Sequence, residues 1–184
     1  AHSAVRQHAG IEAARTEYRQ SAIVTNVTAS LAHGNTAYER FTDTGPLAIL
    51  PLPDNQCAVV WSAREQEVEK ILALGDAEFL SRLQECFGGR LGTFSRLGQR
   101  AAYPLALTKV KEHVRPRLVL IGNAAHTVHP VAGQGFNLGL RDVAALSEVL
   151  TDAVRANRDI GDVQVLRPYA DWRKRDNQVT SFFT

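Results

Sequence analysis

Apolar and polar positions alternate with a period of two along the first half of the chain and recur at helical spacing along much of the second. Residues 20–32 are rich in β-branched side chains, with Ile23, Val24, Val27 and Thr28, and Gly34-Asn35 then offers a turn before residues 36–42. That pattern predicts a hairpin. A second hairpin is predicted where residues 47–52 run into Pro53-Asp54-Asn55, a turn by composition, and residues 57–61 run back. An antiparallel sheet follows. Ser62-Ala63-Arg64-Glu65 has the form of a capping box, opening a helix in which Val68, Ile71 and Leu72 share a face and which Gly75 closes. Asp76 is the predicted cap of a further helix, whose stripe is Phe79, Leu80, Leu83 and Phe87 before Gly88-Gly89. Residues 93–107 read as extended again, with Pro104 near an edge or end.

In the second half, residues 118–121 form a short apolar run closed by Gly122, which predicts a buried strand ending where its backbone meets a close neighbour. Beyond Pro130, the glycines Gly133, Gly135 and Gly139 strip side chains from a turn that enters an amphipathic helix, with Asn137 as its predicted N-cap. Gly139, Val143, Leu146, Leu150 and Ala153 fall on one face of that helix, placed at about residues 138–157. A helix start of this kind concentrates unsatisfied N–H groups and the positive end of the macrodipole, which suits an anionic or electron-rich ligand edge. By pattern alone a ligand site and a plain glycine-rich turn weigh about equally. Arg141 and Asp142 are predicted in the first turn, Asp142 complementing the dipole, with an ordinary surface pair nearly as good a reading. Residues 158–162 form a loop. Residues 164–179 read as a last helix with Pro168 in its first turn or at a kink, anchored by Tyr169 and Trp172.

Composition changes this picture little. The 184 residues carry a net charge of +2 and a pI near 8.7, too mildly basic to argue nucleic acid, and the basic cluster at residues 109–117 reads as a solvated loop. Cys57 and Cys86 make neither a CxxC pair nor a disulfide framework, which fits a reducing, cytoplasmic compartment. With no apolar run of bilayer length, any membrane contact is expected to be peripheral. His126 and His129 stand three apart, but Pro130 follows and no carboxylate or cysteine completes a metal set. No Gly-x-Ser-x-Gly elbow or Gly-Lys-Ser/Thr phosphate loop is present, and Glu65, Glu67 and Glu69 read as a solvated helix face. Gly133-Gln134-Gly135 stands a whole loop beyond the strand and has Leu138 in the sixth position, so it is a poor dinucleotide fingerprint.

A longer match is more specific. The strand ending in Gly122-Asn123-Ala124-Ala125-His126, with the later Pro130-x-x-Gly133-x-Gly135-x-Asn137-Leu138-Gly139, resembles the second FAD-binding motif of class A flavoprotein monooxygenases, the aromatic hydroxylases. With Phe136 and Leu140-Arg141-Asp142 it is similar to their ubiquinone-biosynthesis branch. The family has aspartate at the place of Asn123, bonding a ribityl hydroxyl; asparagine keeps an acceptor and adds donors but drops the charge. Ala1-His2-Ser3-Ala4-Val5-Arg6 resembles the tail of the family's Asp-Gly motif.

The resemblance implies a mixed α+β and α/β fold. It is the C-terminal part of an FAD-binding, glutathione-reductase-like monooxygenase fold, with an antiparallel substrate-side sheet plus helices and without the N-terminal ADP-binding βαβ unit. Residues 1–18 and 111–184 would belong to the FAD-binding domain, and residues 19–110 to the sheet over the substrate side of the flavin. The implied chemistry is reduction of FAD by NAD(P)H and hydroxylation of a polyprenyl phenol through a flavin C4a-hydroperoxide. Arg6, Gly122, Asn123, Pro130, Gly133, Gly135, Phe136 and Asn137 are the implied cofactor contacts, and Pro130 and Val131 would line the oxygen-transfer locus by backbone. Amides at Gly135, Phe136 and Asn137 would stabilise negative charge on the ring. Implied partners are the phenol substrate and other ubiquinone-biosynthesis proteins. A non-hydroxylating oxidoreductase of the same superfamily and a non-catalytic interaction module are the alternatives. Taken as a fragment, the chain is expected to be colourless and inactive alone and to keep the layer at residues 20–107. It is further expected either to pair residues 117–123 with a second copy or rearranged neighbour, or to have a mobile loop at residues 128–136.

Overall fold

A computed structural model describes residues 3–130 and 133–183, with side chains through Lys174. In chain order the elements are α1 (Ala4–His8), β1 (Ala13–Ala29), β2 (Tyr38–Thr42), β3 (Gly45–Pro51), β4 (Gln56–Arg64), α2 (Glu65–Leu72), α3 (Asp76–Phe87), β5 (Phe94–Ser95), β6 (Ala101–Val110), β7 (Val114–Arg115), β8 (Leu118–Val119), a 3-10 turn (Gly122–Ala124), β9 (His126–Thr127), α4 (Gln134–Arg155) and α5 (Val163–Phe183). By packing they fall into two units, Tyr18–Leu105 and Ala1–Glu17 with Ala106–Thr184.

Within Tyr18–Leu105 the antiparallel order is β2-β3-β4-β1, with β5 also on β1. Register places Ile23 opposite Trp61 and Trp61 opposite Leu47. Period two then puts Val27, Ile49, Cys57 and Val59 on that same face. Helices α2 and α3 cover it through Val68, Phe79, Leu83 and Phe87, so one core closes within the unit. Trp61 and Phe79 meet edge-on, with ring centroids 5.8 Å apart. Arg100 ties the α2–α3 corner down, donating to the Leu74 carbonyl at 2.6 Å and lying over the Phe79 ring.

Four expectations for this unit are corrected. The hairpin between residues 20–32 and 36–42 does not form: β1 pairs with β4 and β5, whereas β2 pairs with β3. The shorter closure wins, because Thr42 and Gly45 are joined through Asp43-Thr44, and the apolar alternation of β1 matches that of β4. Ser62 is not a cap, since strand pairing continues to Arg64 opposite Gln20 and buries Ser62 completely. The cap of α3 is Gly75 rather than Asp76; having no side-chain oxygen, Gly75 caps by backbone alone, its N–H donating to Glu78 at 3.4 Å and its carbonyl accepting from the Phe79 amide at 2.9 Å. Helix α2 ends at Leu72, short of Gly75.

In the other unit Ser3 caps α1, accepting from the Arg6 amide at 3.2 Å. The end of β6 pairs with β9, Thr108 facing Thr127. Residues 118–121 were expected as one buried strand, with residues 117–123 on a second copy or a rearranged neighbour; only Leu118–Val119 is strand, and its partner is the neighbouring Val114–Arg115, antiparallel across a tight turn at Arg117, whose φ is 62°. Leu120 adds a bond from its amide to His113 O at 2.9 Å, so the local hairpin satisfies this backbone. Ile11, Val110, Leu120 and Ala125 form a small core beneath it.

Helix α4 begins at Gln134 with Gly133 as its cap, not at Asn137. Its buried stripe is Leu138, Asp142, Ala145 and Ala153, while Val143 is 49% exposed, so the helix is rotated from the predicted face. Arg141 and Asp142 therefore lie beyond the first turn, where a dipole role is weak. Helix α5 packs through Val165, Leu166 and Tyr169; Trp172, expected as an anchor, is half exposed. Among the described residues no helix is long and apolar enough to cross a membrane.

Candidate functional site

Where the 3-10 turn faces the start of α4, an open cleft of about 620 Å³ is lined by Ile121, Gly122, Asn123, Pro130, Gly133 and Gly135 on one part of its wall and Phe136, Leu140 and Val143 on another. Phe136 and Leu140, 74% and 52% exposed, turn an apolar stripe of α4 toward this space. Gly133 closes the turn with φ 62°, the left-handed conformation that side chains disfavour. The amides of Gln134, Gly135 and Phe136 occupy the first helical positions, where no i−4 carbonyl is available. Asn137 is the fourth helical residue, where helical geometry directs the N–H to the Gly133 carbonyl. The cleft thus combines apolar walls with backbone donors and the positive end of a 22-residue helix. That combination fits a flat heteroaromatic ring with an electron-rich edge, such as an isoalloxazine.

Behind the cleft lies a buried polar cluster. Asp142 has no solvent exposure, and Arg173 and His126 are 1% and 3% exposed. Asp142 Oδ2 accepts from the Gly122 amide at 2.7 Å and is 2.7 Å from His126 Nε2, while Oδ1 accepts from Arg173 Nε at 2.5 Å. Burial alone would raise the Asp142 carboxyl, but the bonds from His126, Gly122 and Arg173 outweigh it and hold the group below its ordinary value. An ionised carboxylate only accepts, so His126 donates through Nε2, and its buried Nδ1 has no partner among the described residues. Tyr169 donates to Leu120 O at 3.2 Å, and burial pushes its phenol up. His113 is pushed down, first by burial and then by the nearby His126.

The structure gathers Gly122, Asn123, Pro130, Gly133, Gly135 and Phe136 around the cleft. Asn137 is exposed one position beyond that wall. Arg6 sends Nη1 to the Ala124 carbonyl at 3.0 Å, bracing the turn. Val131 lies outside the described residues, as do Ala1 and His2. Sequence reasoning passed over the buried role of Asp142 and Arg173. A signal existed: Leu138, Asp142 and Ala145 stand at i, i+4 and i+7, a carboxylate on the apolar stripe. No cluster of three His, Cys, Asp or Glu side chains suited to a metal occurs among the described residues.

A model of the FAD binding domain family matches residues 1–178, and the chain belongs to that family, whose cofactor is FAD. It is 43% identical over 175 residues to ubiquinone hydroxylase UbiL of Rhodospirillum rubrum, covering 95% of this chain and 41% of that protein. It is 37% identical over 177 residues to 3-demethoxyubiquinol 3-hydroxylase of Escherichia coli, covering 96% and 45%. The chain therefore spans less than half the length of these relatives. The fold matches that of Pseudomonas aeruginosa PqsL, solved in complex with 2-aminobenzoylacetate, with a TM-score of 0.77 at 23% identity over 97% of this chain and 50% of that one.

Proposed function

We propose that this chain is the flavin-ring side of an FAD-dependent monooxygenase that uses NAD(P)H and dioxygen to hydroxylate a polyprenyl phenol in ubiquinone biosynthesis. The Phe136 and Leu140-Arg141-Asp142 variant resembles 2-octaprenyl-6-methoxyphenol hydroxylase within that branch. The observation that carries the reading is the convergence of Gly122, Asn123, Pro130, Gly133, Gly135 and Phe136 on one cleft at a helix start. The names of the UbiL and demethoxyubiquinol hydroxylase relatives support the reaction class.

Reduced FAD supplies the oxygen activation that delivers one oxygen atom to an electron-rich phenol ring. The chain binds, orients and shields. Gln134, Gly135 and Phe136 offer N–H groups to negative charge at the ring edge, and their fixed backbone needs no reorganisation to do so. Asn123 has an acceptor and two donors for a ribityl hydroxyl, and the exposed Asn137 would add a side-chain contact at the rim. Ile121, Phe136, Leu140 and Val143 exclude water from the ring's faces. Pro130 and Val131 would line the oxygen-transfer side by backbone, and Arg6 would hold the Ala124 end of the turn. A phenol with a polyprenyl tail places its substrate at a membrane surface, which favours peripheral contact there.

Titration of FAD into the chain tests the site. Among the described residues a Cβ at Gly135 would meet only Val128 Cγ2, at 3.7 Å. Gly135→Val is therefore expected to keep its melting temperature while losing the flavin quenching expected of the native chain. Equal quenching in both would remove the loop from the site. For the reaction, NAD(P)H-driven oxygen uptake stimulated by a polyprenyl phenol, in a protein carrying this chain with flavin bound, separates hydroxylase from non-hydroxylating oxidoreductase. Hydroxylated product is the expected outcome.

A further inference from the structure

Asp142 joins three parts of the fold at one carboxylate. It belongs to α4, it receives Arg173 from α5, and it receives the amide of Gly122 from the turn that presents Asn123 to the cleft. Gly122 has φ 55°, in the left-handed region that favours glycine. The approach there is backbone to backbone, because a Cβ at Gly139 would stand 3.8 Å from Gly122 Cα. We propose that Asp142 is a positioning residue for the cofactor turn: clamped from behind by Arg173 and from the side by His126, its carboxylate fixes the Gly122 amide and so sets where the Gly122-Asn123 backbone meets the flavin. This rests on the flavin reading of the cleft.

A structural pin between α4 and α5 is the competing account. Buried ion pairs recover little net stability, since desolvation of both charges offsets their attraction, and an apolar trio of similar volume would hold two helices as well. Only an acceptor at position 142 can receive the Gly122 N–H. Arg173 also reaches the Leu138 carbonyl at 3.5 Å, so its guanidinium keeps the carboxylate from swinging away from the turn. With Nε2 of His126 donating to the same Oδ2 as Gly122, the oxygen facing the turn is held by two donors at 2.7 Å each.

The experiment compares the chain with Asp142→Asn and Arg173→Lys by amide exchange, imidazole nitrogen shifts and titration with FMN, which carries the isoalloxazine ring. In Asp142→Asn the single remaining oxygen pairs best with Arg173, turning the new NH2 toward Gly122 and His126. Gly122 exchange is then expected to accelerate about tenfold or more relative to the other amides of its turn and of α4, with a comparable loss of FMN affinity. His126 should shift its proton to Nδ1, a change that loss of stability alone would not produce. Arg173→Lys keeps a charge but not the fork, and should fall between. Unchanged Gly122 exchange and FMN affinity in variants that merely melt lower would overturn the proposal. If Asp142→Asn does not fold, Arg173→Lys decides on the same two readouts. Absence of any FMN perturbation in the native chain would count against the flavin reading, while Gly122 exchange would still settle whether Asp142 positions the turn.

Discussion

A carboxylate without solvent contact is expensive unless it is paired and hydrogen-bonded, and Asp142 meets that condition through Gly122, His126 and Arg173. Its acid dependence follows by sign. A carboxyl held below its ordinary 3.8 contributes stability that is complete above that value and lost as pH falls through the lowered one. His113 runs in a different window. Burial lowers it from 6.5, so the unfolded chain binds the proton more readily, and stability declines as pH drops below 6.5. Urea unfolding from pH 8 to pH 3 should therefore weaken in two steps, and His113→Gln should flatten the upper one. Tyr169→Phe removes the bond to Leu120 O and should cost about 1 kcal/mol. Gly133→Ala, forcing a side chain into φ 62°, should cost roughly 1–2 kcal/mol and is read by the same unfolding curves.

Each element forms where local pattern and tertiary partner agree, and the disagreements have particular causes. Residues 47–61 were legible as a hairpin because the turn Pro53-Asp54-Asn55 sits between two apolar runs; Asp54 and Asn55 both take φ near 55°, which Asn and Asp tolerate. The partner of β1 was not legible, since any alternating strand offers the same apolar face and only assembly chooses among them. Helix α3 owes its place to Phe79, Leu83 and Phe87, all buried against the sheet. Phe79→Ala should remove the edge-on contact with Trp61 and cost about 3–5 kcal/mol, measured as a lower denaturant midpoint. For α4 the sequence placed the helix but rotated its buried face, because Gly139, Val143 and Leu146 make a plausible stripe until Asp142 is allowed inside. Val143 and Leu140 are exposed because they wall the cleft.

Across the whole molecule, one unit is continuous in sequence, Tyr18–Leu105, and the other is assembled from Ala1–Glu17 and Ala106–Thr184. The first closes its core with its own residues, from Ile23 to Phe94 with Leu97 and Ala102 packed on it. Residues 18–105 expressed alone are therefore expected to unfold cooperatively, observed as a single sigmoidal urea transition; a non-cooperative melt would show that the core needs the other unit. The cleft proposed for the cofactor belongs to the discontinuous unit, where α1 braces the turn through Arg6 and Ala124. Sequence distance concealed that link.

What the sequence determined by itself was local. Period-two alternation set the strands, glycines at positions 122, 133 and 135 marked a turn kept free of side chains, and the Gly-Asn-Ala-Ala-His and Pro-x-x-Gly-x-Gly segments identified the FAD-binding family that the family match then established. Tertiary structure decided what depends on distant partners: which strand lies beside β1, how α4 is rotated, and that Asp142, Arg173 and His126 meet. The reason is physical. Backbone conformation and amphipathic period are written in neighbouring residues, whereas the fate of a charge depends on whether a counter-charge 31 residues away arrives to make its burial tolerable.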